Sequence, residues 1–169
     1  MKFWDTSAFV SLLALEAPSW RTLEFFRQDP EVVLWWGTSI ECVSALARME
    51  REAQVTKATI QRGWYLFQNL RAGAIEVQPD EDIRLSAERL LSKHPLRAAD
   101  SLQLAAALAW RESQPVGAAF VALDRRLRAA ATREGFRVLP YADEIHEPSS
   151  LLDGLVSELR DHPPLPYPQ

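Results

Sequence analysis

Three acidic residues occupy positions in the sequence from which they could bind metal ions. Asp5 follows a short apolar segment at the start of the chain, Asp124 follows a longer one, and Glu41 lies in the first turn of a predicted helix. A ligand set made only of carboxylate oxygens, without histidine or cysteine ligands, selects Mg²⁺ or Mn²⁺ over Zn²⁺. One or two such ions can orient a phosphodiester, activate water and stabilise the leaving oxygen. A metal-dependent nuclease is therefore the most economical interpretation of these acids.

The hydrophobic pattern predicts the elements that would position these acids. Strands are predicted over 2–4, 32–36, 74–77, 118–123 and 136–139, and helices around 9–13 and over 19–28, 38–52, 56–71, 80–92, 97–111 and 124–133. Alternation of this kind indicates a three-layer α/β/α sandwich with a central, mainly parallel sheet. Parallel strands end at one edge, and ligands bind in the crevice outside that edge. Asp5, Glu41 and Asp124 are expected to meet there.

Each acid also has a purely structural explanation. The segment Thr38-Ser39-Ile40-Glu41 fits a capping box with Thr38 as N-cap, and Asp5 and Asp124 could each cap the helix that follows. Asp100, in the first turn of its predicted helix, suits the helix dipole. Carboxylates that converge on one crevice, however, raise one another's pKa unless a cation neutralises them. Natural sequences accept that cost mainly at functional sites.

Finer features of the elements can also be predicted. Ile40 and Val43 lie on the apolar stripe of the helix over 38–52, so they should face the core, and Leu91 should face inward from the next helix but one. Gly73 is expected to end its helix in the left-handed conformation. His94 has no partner at ligand spacing and is expected at the surface, as are the two other histidines.

Composition excludes several classes of protein. The net charge of −4 and pI of about 5.4 have the wrong sign for a protein that coats nucleic acid non-specifically. The sequence contains no run of eighteen uncharged apolar residues, so no membrane span is predicted. The single cysteine, Cys42, cannot form an internal disulfide and is expected in the core. A cytoplasmic location is the simplest expectation.

Four segments resemble the motifs of the PIN-domain family, and their order and spacing look most like the VapC toxins of bacterial type II toxin–antitoxin pairs. The segments are Asp5-Thr6-Ser7-Ala8-Phe9-Val10, Thr38 to Arg48, Arg97 to Ala107, and Val121-Ala122-Leu123-Asp124-Arg125-Arg126-Leu127. The third is the most specific of the set. The resemblance covers roughly residues 1 to 142.

The resemblance implies an Mg²⁺- or Mn²⁺-dependent endoribonuclease that forms a homodimer and is inhibited by an antitoxin protein. It adds Asp100 to the acids already placed, so that Asp5, Glu41, Asp100 and Asp124 would form the catalytic metal site. Ser7 would be a polar group that bonds a carboxylate or a metal-bound water, although a helix N-cap is an equal alternative. Many relatives carry a hydroxyl where this chain has Ala122, so a group that could steady Asp124 is missing.

The sequence is expected to divide into a PIN-like nuclease domain over 1–145 and a C-terminal extension over 146–169, a short helix followed by a proline-rich tail. Arg125 and Arg126, beside Asp124, are candidates for contact with RNA phosphates. Two other functions remain open. One is a catalytically inactive PIN-like interaction module. The other is an aspartate-nucleophile phosphatase, which would usually have a second acid where this chain has Ser7.

Overall fold

A computed structural model describes residues 1–14, 19–53, 55–112 and 114–141, and a five-stranded sheet with only parallel strand pairs lies at its centre. The strands are β1 (Lys2–Trp4), β2 (Val32–Trp35), β3 (Ile75–Val77), β4 (Ala119–Val121) and β5 (Arg137–Leu139). Their order across the sheet is β3-β2-β1-β4-β5. The chain therefore proceeds outward from β1 to β3 and then returns to the other side of β1. In open parallel sheets, the point where the strand order reverses is where ligands bind.

Seven helices in the described residues cover the two faces of this sheet. They are α1 (Thr6–Ala14), α2 (Ser19–Gln28), α3 (Thr38–Arg51), α4 (Lys57–Ala72), α5 (Glu81–Lys93), α6 (Ala98–Trp110) and α7 (Arg125–Arg133). Neighbouring strand residues face opposite sides: Trp4 packs with the core formed by α1 to α4, and Phe3 packs with the core formed by α5 to α7. The predicted three-layer α/β/α sandwich is confirmed, and its sheet is parallel throughout.

Two predictions about the inward faces of helices are wrong. Ile40 and Val43 are 58% and 41% exposed, because α3 packs through Cys42, Leu46 and Met49 instead. The helix carries two overlapping apolar stripes, and periodicity alone does not choose between them. Leu91 of α5 is also exposed, because Leu90 occupies the inward position beside it.

Two predictions about helix ends are corrected as well. Gly73 caps α4 with an ordinary negative φ of −96°, whereas Gly135 after α7 has the left-handed value of +98°. His94 is buried rather than solvated. It ends α5 with its ring Nε2 2.6 Å from Glu134 Oε1, and the same oxygen lies 2.7 Å from Lys93 Nζ.

Arg128 of α7 secures the edge of the sheet where the acids were predicted to lie. Its guanidinium donates to the backbone carbonyls of Ala122 at 2.6 Å and Leu139 at 3.0 Å, and also to that of Pro140. These carbonyls follow β4 or end β5, so one side chain ties the ends of both strands together. Such charge-assisted hydrogen bonds are stronger than neutral ones.

Within the described ranges, no helix is long and apolar enough to cross a membrane. The proposed C-terminal extension over 146–169 lies outside the described residues, as does the end of the predicted domain after 141.

Candidate metal centre

Ser7 connects the ends of β1 and β4, which flank the point where the strand order reverses. Its backbone N–H and its hydroxyl donate to Asp5 Oδ2, at 2.9 Å and 2.5 Å. The same hydroxyl accepts hydrogen bonds from the backbone N–H of Leu123 at 2.9 Å and of Asp124 at 3.3 Å. One hydroxyl thus orients the first acid and holds the backbone of the fourth. The Ser7 hydroxyl therefore supports Asp124 through its backbone, whereas Ala122 has no hydroxyl that could do so.

Asp124 and Asp100 each begin a helix, as their structural explanations predicted. Asp124 is the N-cap of α7, and its Oδ1 accepts from the backbone N–H of Arg126 and Leu127, both at 2.9 Å. Asp100 is in the first turn of α6, and its Oδ2 accepts from the backbone N–H of Arg97 at 3.3 Å. These contacts hold both side chains at helix N-termini, where the backbone dipole favours negative charge.

Glu41 is not part of a capping box. Gly37, rather than Thr38, is the N-cap of α3, and no side chain caps that helix. Thr38 is fully buried and contacts Gln103 of α6, whose Nε2 also lies 3.5 Å from Glu41 Oε2. The side chain of Glu41 is therefore contacted by α6 and not by its own helix end.

The four carboxylates share one pattern of hydrogen bonding. In each, protein donors contact a single oxygen: Oδ2 of Asp5 and Asp100, Oδ1 of Asp124 and Oε2 of Glu41. No described group donates to the second oxygen of any of them. A capping role uses the first oxygen and leaves the second available. The capping and metal-binding interpretations are thus compatible in the same side chain.

Electrostatic effects show that the four acids lie near one another. Burial, with smaller contributions from the charges of Glu41 and Asp100, raises the pKa of Asp5 to about 7 despite the hydrogen bonds from Ser7. Burial also raises the pKa of Asp100, as does the charge of Asp124. The acids therefore influence one another in a chain from Glu41 through Asp5 and Asp100 to Asp124. A nearby cation would reverse these shifts.

Cys42 responds to the same negative charge but is not a ligand. Its side chain is fully buried in the core, as predicted, and burial followed by the charges of Glu41 and Asp5 raises the pKa of the thiol. The thiol packs in the hydrophobic core formed by α1 to α4, and its raised pKa disfavours the thiolate form that binds metals. The donor set at this edge is therefore made of oxygen atoms.

The carboxylates do not form a closed coordination shell. Among residues 1–14, 19–53, 55–112 and 114–141, no three acid, histidine or cysteine side chains are arranged to hold a metal ion. The donor chemistry suits a hard divalent ion. The side chains would still need to approach one another, or to bind through water, to surround one.

Positive charge borders the acids. Arg125 and Arg126 are exposed in the first turn of α7, and Arg97 is exposed at the N-cap of α6. The charges of Arg97 and Arg126 lower the pKa of Asp100, so both side chains lie within electrostatic reach of it. In the described part of the chain, none of these three arginines forms an ion pair.

Gln103 was missed by the sequence analysis. Its side chain is 1% exposed and contacts Thr6, Thr38 and Glu41. The signal was present in the sequence: Gln103 is a polar residue within a very apolar helix, three positions after Asp100, and so on the same helix face. A polar residue buried in this way has hydrogen-bond partners.

Comparison with known structures identifies the fold. No protein-family model matches the sequence, and no curated protein is similar to it in sequence. FitAcB from Neisseria gonorrhoeae aligns with 83% of this chain and 97% of its own at 17% identity and a TM-score of 0.57. PAE2754 from Pyrobaculum aerophilum aligns with 92% of this chain and 95% of its own at 17% identity and a TM-score of 0.54.

FitB of FitAcB and PAE2754 are PIN-domain proteins, so this chain has the PIN-domain fold. This confirms the fold implied by the motif resemblance. In this PIN fold the four motif acids lie at the carboxyl edge of the sheet, on both sides of the strand-order reversal between β1 and β4.

The buried carboxyl of Asp5 makes the stability of the metal-free protein depend on pH. Its pKa of about 7 when folded exceeds the ordinary value of 3.8, so the folded state holds an extra proton between these values. The free energy of unfolding should fall as pH rises from about 4 to 7, by on the order of a few kcal/mol. Asp5→Asn keeps the hydrogen-bond acceptor and removes the titration.

Urea unfolding of metal-free wild type and Asp5→Asn across this range measures the difference. The variant should gain stability relative to wild type as pH rises through the window. Parallel stability curves for the two proteins would show that Asp5 does not carry this proton.

Proposed function

We propose that this protein is a divalent-metal-dependent endoribonuclease of the PIN-domain type and the toxin component of a type II toxin–antitoxin pair. The proposal rests on the PIN fold, on the four sequence motifs, and on the position of their acids at one edge of the sheet. Asp5, Glu41, Asp100 and Asp124 are the proposed catalytic metal site, with Ser7 as a supporting group.

One observation supports this proposal most strongly: four carboxylates from different parts of the chain each keep one oxygen without a protein donor. Asp5 is also 4% exposed. A buried carboxylate with no positive partner is costly in a folded protein. Capping contacts, or the Gln103 amide in the case of Glu41, account for one oxygen of each acid but not for the burial of Asp5 among other acids. A bound cation accounts for both.

The four carboxylates would hold Mg²⁺ or Mn²⁺, the hard ions that oxygen donors select. A bound ion of this kind polarises a phosphodiester and activates water for hydrolysis. The protein contributes orientation: Ser7 directs Asp5, and the starts of α6 and α7 direct Asp100 and Asp124. Arg125 and Arg126 are the proposed contacts for RNA phosphates, since both are exposed beside Asp124 at a helix N-terminus.

RNA as substrate, homodimer formation and an antitoxin partner follow from the resemblance to VapC toxins. With an RNA substrate and a single cysteine, we place the protein in the cytoplasm. One observation favours the inactive interaction module instead, namely the open arrangement of the acids in the described residues. Calorimetric titration separates the two functions, because the inactive module would not bind Mn²⁺.

Asp100→Asn should reduce RNA cleavage by on the order of 100-fold or more, because losing one charged group at a catalytic site usually costs that much. The substitution retains an oxygen that can accept the Arg97 N–H, so the fold should persist. Turnover of a labelled single-stranded RNA with Mg²⁺ or Mn²⁺ measures the effect. Circular dichroism of the same samples confirms folding.

Asp82→Asn is the matched control for this experiment. Asp82 is an exposed acid in the first turn of α5, so the same chemical change occurs at a helix start whose charge is not among those that shift the pKa of Asp5 or Asp100. The control should cleave like wild type. If Asp100→Asn retained more than about a tenth of wild-type turnover, Asp100 would not be a metal ligand.

Expression of the protein in a bacterial host without its antitoxin should arrest growth, and Asp5→Asn should relieve the arrest because the site loses its central carboxylate. Growth curves after induction, with immunoblots showing equal protein levels, make the comparison. Equal arrest by wild type and variant would separate any toxicity from the acidic site.

A further inference from the structure

Gln103 lies beneath the acidic edge and contacts residues from two other helices. Its Nε2 donates to Thr6 Oγ1 at 2.7 Å and to Thr38 Oγ1 at 3.0 Å, and lies 3.5 Å from Glu41 Oε2. Thr38 Oγ1 also lies 3.4 Å from Gln103 Oε1. The amide therefore connects α6 to α1 and α3 through one nitrogen.

Gln103 and the two threonines that it contacts each lie next to one of the acids, either in sequence or on a helix face. Thr6 directly follows Asp5. Thr38 lies three residues before Glu41, on the same face of α3. Gln103 itself is one turn beyond Asp100 on α6. Movement of this amide would therefore shift the supports of three acids, two of which lie in α3 and α6 and one of which directly precedes α1.

The side chains that form this network are buried. Gln103 and Thr38 are 1% and 0% exposed, and Thr6 is 9% exposed. The amide nitrogen carries two hydrogens, which the two threonine hydroxyls occupy at the shorter distances, so Glu41 Oε2 receives the longer and weaker contact. This contact involves only Oε2 of Glu41. The other oxygen, Oε1, has no donor among the described residues.

We propose that Gln103 is a positioning residue that sets the spacing of Asp5, Glu41 and Asp100 and thereby the affinity of the edge for a divalent ion. This inference rests on the proposed metal site. Gln103 does not bind the ion. It acts through Thr6, Thr38 and Glu41, as groups that orient metal ligands do. Removing such a group typically weakens metal binding by about 10- to 100-fold.

Calorimetric titration with Mn²⁺ tests this role, with unfolding in chelator as a parallel measurement. Gln103→Met preserves the length of the side chain and removes the amide. It should weaken Mn²⁺ binding by about 10- to 100-fold. Thr38→Val should weaken it less. The double variant should bind no more weakly than Gln103→Met alone, because both changes act through the same amide.

Ser11→Ala is the matched control. Ser11 and Thr22 form a buried hydroxyl pair at 2.9 Å, apart from the acids, so the variant loses a buried hydrogen bond without disturbing the edge. It should lose stability in chelator and bind Mn²⁺ like wild type. Unchanged Mn²⁺ affinity in Gln103→Met and Thr38→Val would overturn the positioning role, as would equal weakening by Ser11→Ala.

Failure of the proposed function gives a different result. If wild type binds no Mn²⁺, the metal site itself is wrong. The chelator measurements would then still report whether Gln103 and Thr38 are energetically coupled in the folded protein. If Gln103→Met proves too unstable to study, Thr38→Val against Ser11→Ala decides the positioning role.

Discussion

The hydroxyl of Ser7 holds together the two strand ends on which the candidate site depends. Because β1 and β4 are neighbours whose chain connections run in opposite directions across the sheet, a crevice opens beyond their carboxyl ends. Ser7 bridges it, donating to Asp5 and accepting from the backbone of Leu123 and Asp124. Arg128 joins the end of β4 to the end of β5, the neighbouring strand on the side away from β1. These hydrogen bonds hold together the strand ends that precede Asp5 and Asp124.

Burial of Asp5 is the main cost of this arrangement. Its carboxyl has little exposure, nearby negative neighbours and a pKa raised to about 7. A protein selected only for stability would place an apolar or amide side chain there. Strain of this kind at one edge, together with ordinary packing elsewhere, is typical of a functional site. The two hydrophobic layers supply the stability that offsets it.

The fold could be predicted from the sequence because its strands are buried on both faces and read as continuous apolar runs, such as Val32-Val33-Leu34-Trp35. Strand order was not predicted, because which strands become neighbours depends on long-range pairing that local patterns do not show. The acids at strand ends were predictable from topology. Asp100 was not, because its element does not follow a strand, and only the third motif identified it.

The wrong predictions about side-chain burial and capping have a common physical origin, since the environment of these side chains is set by residues distant in the sequence. Ile40 and Val43 lie on a plausible apolar stripe, yet α3 presents Cys42 and Leu46 to its neighbours. Gln103 and Thr38 meet across 65 positions of sequence. Local patterns such as the capping box at Thr38 compete with these long-range contacts, and here the long-range contacts prevail.

We propose that the acids at this edge bind one or two divalent ions. Crystals grown with MnCl₂ would test it most directly, because Mn²⁺ can be located from its anomalous scattering. We expect a strong anomalous peak at the carboxyl edge of the sheet, from an ion bound by Asp5 and by at least two of Glu41, Asp100 and Asp124. A map without a peak there, with all four side chains still only in their helix-capping or amide contacts, would contradict it.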